Sequence, residues 1–523
     1  MRRAAGALLL VVSLTACGST VQVTSTDQVG GTVGGTTGLA GTTSGTSGTS
    51  GTGVDPSTSG TTGLTAGTTS TTGDGTTTGV GTSGSSSSTG GTTGPTTASA
   101  FTTGLGVTAK TITIGVSYTA NGAAANAAIG GEALTTGDDL ANNKALVAEI
   151  NEHGGIAGRR LEAVYFAYDA TSPGSGASQD QAACNKFTQD NKVLAVIGGN
   201  LTDVLPACLK RAGTLYLHGG VLIGDDLAFL RTYSNQLLLG TMAQDRYLAD
   251  MLQSFQRQRY LTGWSTATAA PGTAPVKVAV VSADPTSFQR AVKGTLLPGL
   301  SRLGHPVSAS DVFFVHKPQS TSDISGTTAQ IKSATLRMQS EGVTHVVFND
   351  ASGLIMALFS GNASTQRYYP RFGVTSGAGP QGIFDAGLTS SKQLTGMSGP
   401  GWLPSIDLPA ADGSKYATPA TKRCLEIMRR RTGQTYTSTN AASIALTACD
   451  AFFLLQQALG ATKDLSPRGL RTAVERLGGS FVSPLIPATR FSPTQHDSAV
   501  RAWDMSWVPS CSCVRYSHQH TVS

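Results

Sequence analysis

From about Thr108 onward, apolar positions alternate between two rhythms: short β-branched runs, then stretches whose apolar residues return every three or four positions. Ile112 to Ser117 predicts a strand. Thr136 to His153 predicts a helix with Leu146, Val147 and Ile150 on one face, ended at Gly154-Gly155 by C-cap chemistry. Leu161 to Tyr168 is a nearly continuous apolar run, the pattern of a strand covered on both faces. Helices over Ser178–Asp190 and Leu201–Arg211 then alternate with strands over Val193–Ile197 and Thr214–Leu217. The rhythm restarts with strands at Val276–Val281, Val312–Val315, Thr344–Phe348 and Arg371–Thr375, separated by helices at Ser287–Leu303, Thr327–Ser340 and Ser352–Ser360. Helices at Pro419–Arg431, Asn440–Leu459 and Pro467–Leu477 follow, and Phe491 with Trp503 to Trp507 reads as late strands. Such repetition predicts an α/β fold with parallel sheets and helices on both faces, in two similar halves.

The N-terminus departs from this rhythm. Met1-Arg2-Arg3, an apolar run from Ala4 to Val12 and Leu14-Thr15-Ala16-Cys17 have the layout of a secretory signal. The apolar run is too short to span a membrane. Leu-Thr-Ala-Cys is similar to the lipobox of bacterial lipoproteins, in which the cysteine becomes the lipid-bearing N-terminus; Cys17 is the expected lipidation site, and residues 1–17 the signal. Residues 18–107 are dominated by Gly, Thr and Ser, with no aromatic before Phe101. Such a segment buries too little apolar surface to offset the entropy of ordering it, so it reads as a tether with an r.m.s. span of roughly 50 Å.

The remaining chain is too long for one compact core and comfortable for two lobes. Net charge is +6 with only 13% charged residues. Arg429-Arg430-Arg431 near a helix end suits the helix dipole, and no aromatic-interleaved basic cluster points to nucleic acid. No second apolar run was expected to reach spanning length, leaving the lipid as the membrane attachment. Six cysteines remain after Cys17, and an even count in an exported chain suggests disulfides. Proximity along the chain favours Cys184 with Cys208 and Cys424 with Cys449. Cys511 and Cys513 stay open, because a bridge over one residue is geometrically demanding.

In open α/β sheets ligands sit beyond the carboxyl ends of strands, and two facing lobes enclose a cleft. The post-strand loops therefore supply the candidates: Tyr118; Asn200, Leu201 and Thr202; His218 and Gly219; Asp284; Phe288; Ser352; and Ser376. Each has another reading. Tyr118 and Phe288 suit core packing, Asn200, Thr202 and Asp203 suit a helix cap, and His218 suits a buried, hydrogen-bonded position. Cys511, Cys513, His518 and His520 gather soft metal ligands within ten residues. Their spacing matches no familiar finger, so no metal or cofactor is expected. Gly-x-Ser-x-Gly, His-Glu-x-x-His and Gly-x-x-x-x-Gly-Lys are absent, which argues against an exported α/β enzyme.

Several stretches resemble a known family. Ile112-Thr113-Ile114-Gly115-Val116, Ala148 to Arg159 with its Ile150-Asn151-Glu152-His153-Gly154-Gly155-Ile156-Ala157-Gly158 core, Asp169, and Val196-Ile197-Gly198-Gly199 resemble the type I periplasmic binding proteins. The similarity is greatest to the leucine/isoleucine/valine-type substrate-binding lipoproteins of ABC importers. The resemblance implies two Rossmann-like lobes joined by a three-strand hinge, residues 108–242 and 405–485 forming lobe I, 243–404 and 486–516 lobe II, and 517–523 a tail. It implies a lipid-anchored, extracytoplasmic, monomeric and non-enzymatic receptor. Such a receptor captures a small polar molecule such as an amino acid or amide and delivers it to an ABC permease. A ligand sensor for a membrane partner is the alternative on the same fold. The carry-over is partial: the family's serine pair near Thr202, its Ser-Pro-Ala-Thr-like run at His218-Gly219-Gly220 and its acidic residue near Gly377 are missing, with Asp284 or Asp350 as substitutes. Phe288 falls where a stacking tyrosine often stands.

Overall fold

The computed structural model describes residues 101–131, 134, 137–219, 224–436 and 439–522. The chain divides into two units, Met1–Thr92 and Thr93–Ser523, and all described residues belong to the second. Cys17, the signal segment and nearly all of the tether lie outside the described residues, as does Gly220.

Two sheets organise the structure. The first contains β1 (Thr111–Ala120), β2 (Arg160–Asp169), β3 (Ala195–Gly198), β4 (Leu215–Gly219) and β5 (Gln236–Leu239), all parallel in the order β2-β1-β3-β4-β5. Ile112, Ile114 and Val116 are fully buried, as covering both faces of the sheet requires. The second contains β6 (Val278–Ala283), β7 (Val312–Val315), β8 (His345–Asn349), β9 (Arg371–Gly373), β10 (Ser398–Gly401), β11 (Arg501–Val508) and β12 (Cys513–Thr521), in the order β7-β6-β8-β9-β10-β11-β12. Its first five strands are parallel, while β10, β11 and β12 pair antiparallel, so the second sheet is mixed.

The chain passes between the sheets three times. It leaves β5 into the helix Gln244–Arg257, which packs on β10. It returns from β10 to the helices Pro419–Thr432, Thr439–Gly460 and Pro467–Leu477, then crosses again to β11. Asp497, buried on the last passage, ties it to the first: its Oδ2 accepts from Ala243 N at 2.7 Å and from Arg246 Nη1 at 2.6 Å. Leu238 also forms a parallel bridge with Asp497.

Several expectations need correction. The tether was expected to run to residue 107, but Thr102–Thr103 already pair with Asp464–Leu465, and Arg159 lies over the Phe101 ring at 4.7 Å. The helix Gln244–Arg257 was missed, although its buried face carries Tyr247, Leu248, Met251 and Phe255. Residues 517–521 are no loose tail: they complete β12 through pairs such as Arg501 with Thr521. Cys511 and Cys513 are bridged, as are Cys184 with Cys208 and Cys424 with Cys449. Residues Ala441–Gly460 are long and apolar enough to cross a membrane by composition. They instead pack inside the first lobe, with Cys449, Phe452 and Leu455 fully buried. Arg430 and Arg431 do more than suit the helix dipole: they bind Glu149 of the neighbouring helix at 2.9 and 2.6 Å.

Candidate functional site

A cavity of about 500 Å3 opens between the carboxyl ends of β3 and β4 on one side and of β6 and β7 on the other. That size suits a small organic ligand. On the first-lobe side, Gly198 ends β3 at φ 121°, where an added Cβ would come within 2.4 Å of the Ser117 carbonyl oxygen. Only glycine fits this turn without strain, and it directs Asn200, Leu201 and Thr202 into the cavity wall. Asp180 organises that loop. Fully buried, it accepts from Tyr168 Oη at 2.7 Å, Leu201 N at 3.1 Å, Thr202 N at 2.8 Å and Thr202 Oγ1 at 2.6 Å. The Thr202 hydroxyl therefore donates inward to Asp180 rather than toward a ligand. Asn200 is similarly engaged, accepting from Tyr216 Oη at 2.9 Å and donating to the Thr202 carbonyl.

His218, at the end of β4, stacks on Tyr216 with ring centroids 5.0 Å apart, and its Nδ1 lies 3.1 Å from Asp225 Oδ2. Burial, with Asp180 and Asp225 nearby, pushes the Tyr216 hydroxyl well above its ordinary range, so it stays protonated. On the second-lobe side, Asp284 follows β6 and accepts from Lys317 N at 3.1 Å, with His316 Nδ1 at 3.3 Å. His316 and Lys317 directly follow β7.

The two walls touch. Arg290 Nε and Nη2 donate to the two oxygens of Asp226, each at 2.7 Å, and this partner holds the guanidinium above its usual range. Ser287 Oγ donates to the Gly224 carbonyl at 2.8 Å, and the Phe288 ring lies against Gly224 so closely that an added Cβ would sit 1.9 Å from Cζ. Further along the cleft, Gly176 N donates to Gln319 Oε1 at 2.9 Å and Thr321 N to the Ala170 carbonyl at 3.3 Å.

Six of the ten expected ligand residues line this cavity: Asn200, Leu201, Thr202, His218, Asp284 and Phe288. Four do not. Tyr118 is half-buried in β1, in register with Ala167 of β2. Gly219 is buried in β4, opposite Leu239. Ser352 turns its hydroxyl onto Asp350 Oδ1 at 2.8 Å. Ser376 donates to buried Asp407 and accepts from Trp402 N at 2.7 Å, which commits it to the passage back to the first lobe. Sequence reasoning missed Asp225, Tyr233, Arg290, His316, Lys317 and Gln319, which also line the cavity. The rule that singled out Asp284 after its strand applies equally to His316 and Lys317 after β7.

Lys317 differs from the other charged groups in the wall. Burial lowers its pKa from the ordinary lysine value, an effect opposed by Asp225, Asp350, Asp180 and Asp284. Those carboxylates are already engaged: Asp180 and Asp284 as above, Asp225 by His218 and Gln236, and Asp350 by Ser352 and Met356 N. Among the described residues, no acceptor hydrogen-bonds or ion-pairs with Lys317 Nζ.

Two α/β lobes crossed by three chain passages, with a cavity at the facing strand ends, define a two-lobe α/β architecture with a cleft between the lobes. Solved structures show the same architecture. A possible leucine/isoleucine/valine-binding protein from Rhodopirellula baltica SH 1 matches with a TM-score of 0.54 at 14% identity, covering 78% of this chain and 97% of that one. A fatty acid ABC transporter substrate-binding protein from Thermomonospora curvata matches at 0.54 and 17% identity, covering 80% and 94%. An ABC transporter solute-binding protein from R. palustris in complex with 4-hydroxybenzoate matches at 0.55 and 15% identity, covering 79% and 98%. No protein-family model and no curated protein matches the sequence. The fold of this chain is that of the type I periplasmic binding proteins.

Proposed function

We propose that this protein is an extracytoplasmic solute receptor, lipid-anchored at Cys17, that closes its two lobes around a small organic molecule and presents it to the permease of an ABC importer. The observation that carries this reading is the cavity at the facing strand ends, spanned by contacts such as Arg290–Asp226. A ligand filling the cavity touches both walls and so favours the closed form, a differential affinity that a membrane partner can read. The architecture shared with substrate-binding proteins of ABC transporters supports the importer as the recipient. The Gly/Thr/Ser-rich segment would let the folded lobes reach away from the membrane surface.

The test is a thermal-shift screen of the folded lobes against amino acids, amides, aromatic acids, fatty acids, polyols and sugars. A ligand bound only by the native state raises the melting temperature with the logarithm of its concentration. One such class is expected, bound without being consumed over hours; turnover of the hit would instead mean an enzyme. For the anchor, Cys17→Ser should move the protein from the membrane fraction to the soluble fraction.

A further inference from the structure

We propose that the Cys511–Cys513 bridge is a thiol–disulfide exchange site, which oxidises an incoming dithiol through attack at the sulfur of exposed Cys511. The site lies at the tip of the β11–β12 hairpin, and the inference is independent of what the cavity binds.

Among the described residues three bridges form, and two have an evident structural task. Cys184–Cys208 and Cys424–Cys449 span sequence separations of 24 and 25, each joins two helices, and all four residues are buried. A bridge stabilises chiefly by closing a loop of the unfolded chain, so these two have much to contribute. Cys511–Cys513 has a sequence separation of 2 and contributes little in that way. Nor does the hairpin need it. Eight residue pairs join the two strands, from Arg501 with Thr521 to Val508 with Cys513 beside the turn. The turn carries its own bonds, from Cys511 N to the Val508 carbonyl at 3.3 Å and from Ser512 N to the Pro509 carbonyl at 3.1 Å. Ser512 is held at φ 49°, a left-handed conformation that crowds its Cβ, so opening the ring removes a constraint from a strained residue. The two cysteines differ in access: Pro509, Ser510 and Cys511 are exposed, whereas Cys513 is 3% exposed. An exposed bridge with little structural role is the labile kind, while burial protects the other two.

A thiolate of the dithiol attacks Cys511 Sγ. The bond between the two cysteine sulfurs breaks, and its electron pair leaves on Cys513 Sγ, which takes up a proton. The second thiol of the dithiol, deprotonated, attacks its own partner sulfur in the mixed disulfide and releases Cys511 as a thiolate, which is protonated in turn. The dithiol thus loses two electrons and two protons and becomes a disulfide, and the two cysteines gain them. A disulfide of the surroundings, such as glutathione disulfide, restores the bridge by the reverse exchange.

The experiment incubates the purified protein at neutral pH with rising dithiothreitol, blocks free thiols with N-ethylmaleimide and assigns each cysteine by peptide mass spectrometry. Cys511 and Cys513 are expected to be released at a dithiothreitol concentration at least about tenfold below that needed for either other bridge. Reduced glutathione, a monothiol, should be found attached to Cys511 and not to Cys513. Mixed without air with an equimolar reduced two-cysteine peptide, the parent should convert the peptide to its disulfide, and the Cys511→Ser/Cys513→Ser double variant should leave it reduced. The double variant should melt within about 2 °C of the parent, since the bridge closes so short a loop. A larger drop in melting temperature would mark the bridge as structural and overturn the inference. So would a bridge as resistant as the other two, glutathione carried on Cys513, or a peptide left reduced by the parent or oxidised equally by the double variant. None of these outcomes touches the receptor reading, which the solute screen tests separately.

Discussion

Lobe closure can be measured through the Arg290–Asp226 clasp. Arg290→Met keeps most of the aliphatic stem and removes the guanidinium. The Asp226 side chain is 2% exposed and that of Arg290 43% exposed. The fork comprises two charge-assisted bonds of 2.7 Å each. A hydrogen bond to a charged group contributes about 1.5–3 kcal/mol when well shielded. Nearly half of the arginine side chain meets solvent, so screening reduces this to about 1–1.5 kcal/mol. Asp226 keeps its N-cap bond from Phe229 N at 2.7 Å, so the helix it starts should persist. A loss of that size favours the open form by about five- to tenfold.

The readout is hydrogen exchange at amides whose bonds cross the cleft: Gly176 N to Gln319 Oε1 and Thr321 N to the Ala170 carbonyl. Local opening exposes them without global unfolding. Their exchange should accelerate about five- to tenfold in Arg290→Met, a factor set by the same loss of closure energy. Amides inside the sheets, such as Val116 in β1 and Val280 in β6, should stay unchanged. Unchanged exchange at Thr321, or equal acceleration at all four positions, would refute the reasoning, the latter by showing general destabilisation rather than hinge opening.

Two further outcomes follow from buried positions. Gly224→Ala would drive a Cβ into the Phe288 ring, destabilising the closed form by about 1–3 kcal/mol; the same exchange assay should show it, and Phe288→Ala in that background should restore protection. Asp450 is buried beside the hinge and takes Ser483 Oγ at 2.5 Å, and burial raises its carboxyl from 3.8 to about 7. The folded state therefore holds a proton that the unfolded chain releases above about pH 4, so this group's contribution is fullest in acid and falls as pH rises toward 7. The span is about 4 kcal/mol at most, and Asp450→Asn should flatten it in urea-midpoint measurements from pH 4 to 8; an unflattened slope would exclude Asp450 as its source.

The chain disclosed its layers better than its cavity. Val312–Val315 and Pro467–Leu477 begin and end where their patterns predict, because each is bounded by local chemistry such as the Ser466 cap on Gly469 N. The helix Gln244–Arg257 was legible too, since Tyr247, Leu248, Met251 and Phe255 recur at helical spacing, although Gln244, Asp250 and Ser254 are buried beside them. Asp180 was invisible. It looks like any helix-surface aspartate until the fold brings Tyr168 and the Leu201–Thr202 amides onto it. Ser352 and Ser376 met the rule for loop ligands, yet each met a nearer carboxylate first, Asp350 and Asp407. Rules about strand ends locate the right loops; they do not say which hydroxyls the protein itself will use.

That distinction bears on how closure and binding are balanced. In the closed arrangement the Arg290–Asp226 fork, the Ser287–Gly224 bond and the Phe288 contact hold the walls together. Each of these contacts joins a residue that follows β6 to the segment between β4 and β5. On the proposed reading, a ligand in the cavity adds its own contacts to both walls. Its binding energy then appears as closure, which is what a hinged receptor must convert into a signal its membrane partner can distinguish from the empty state.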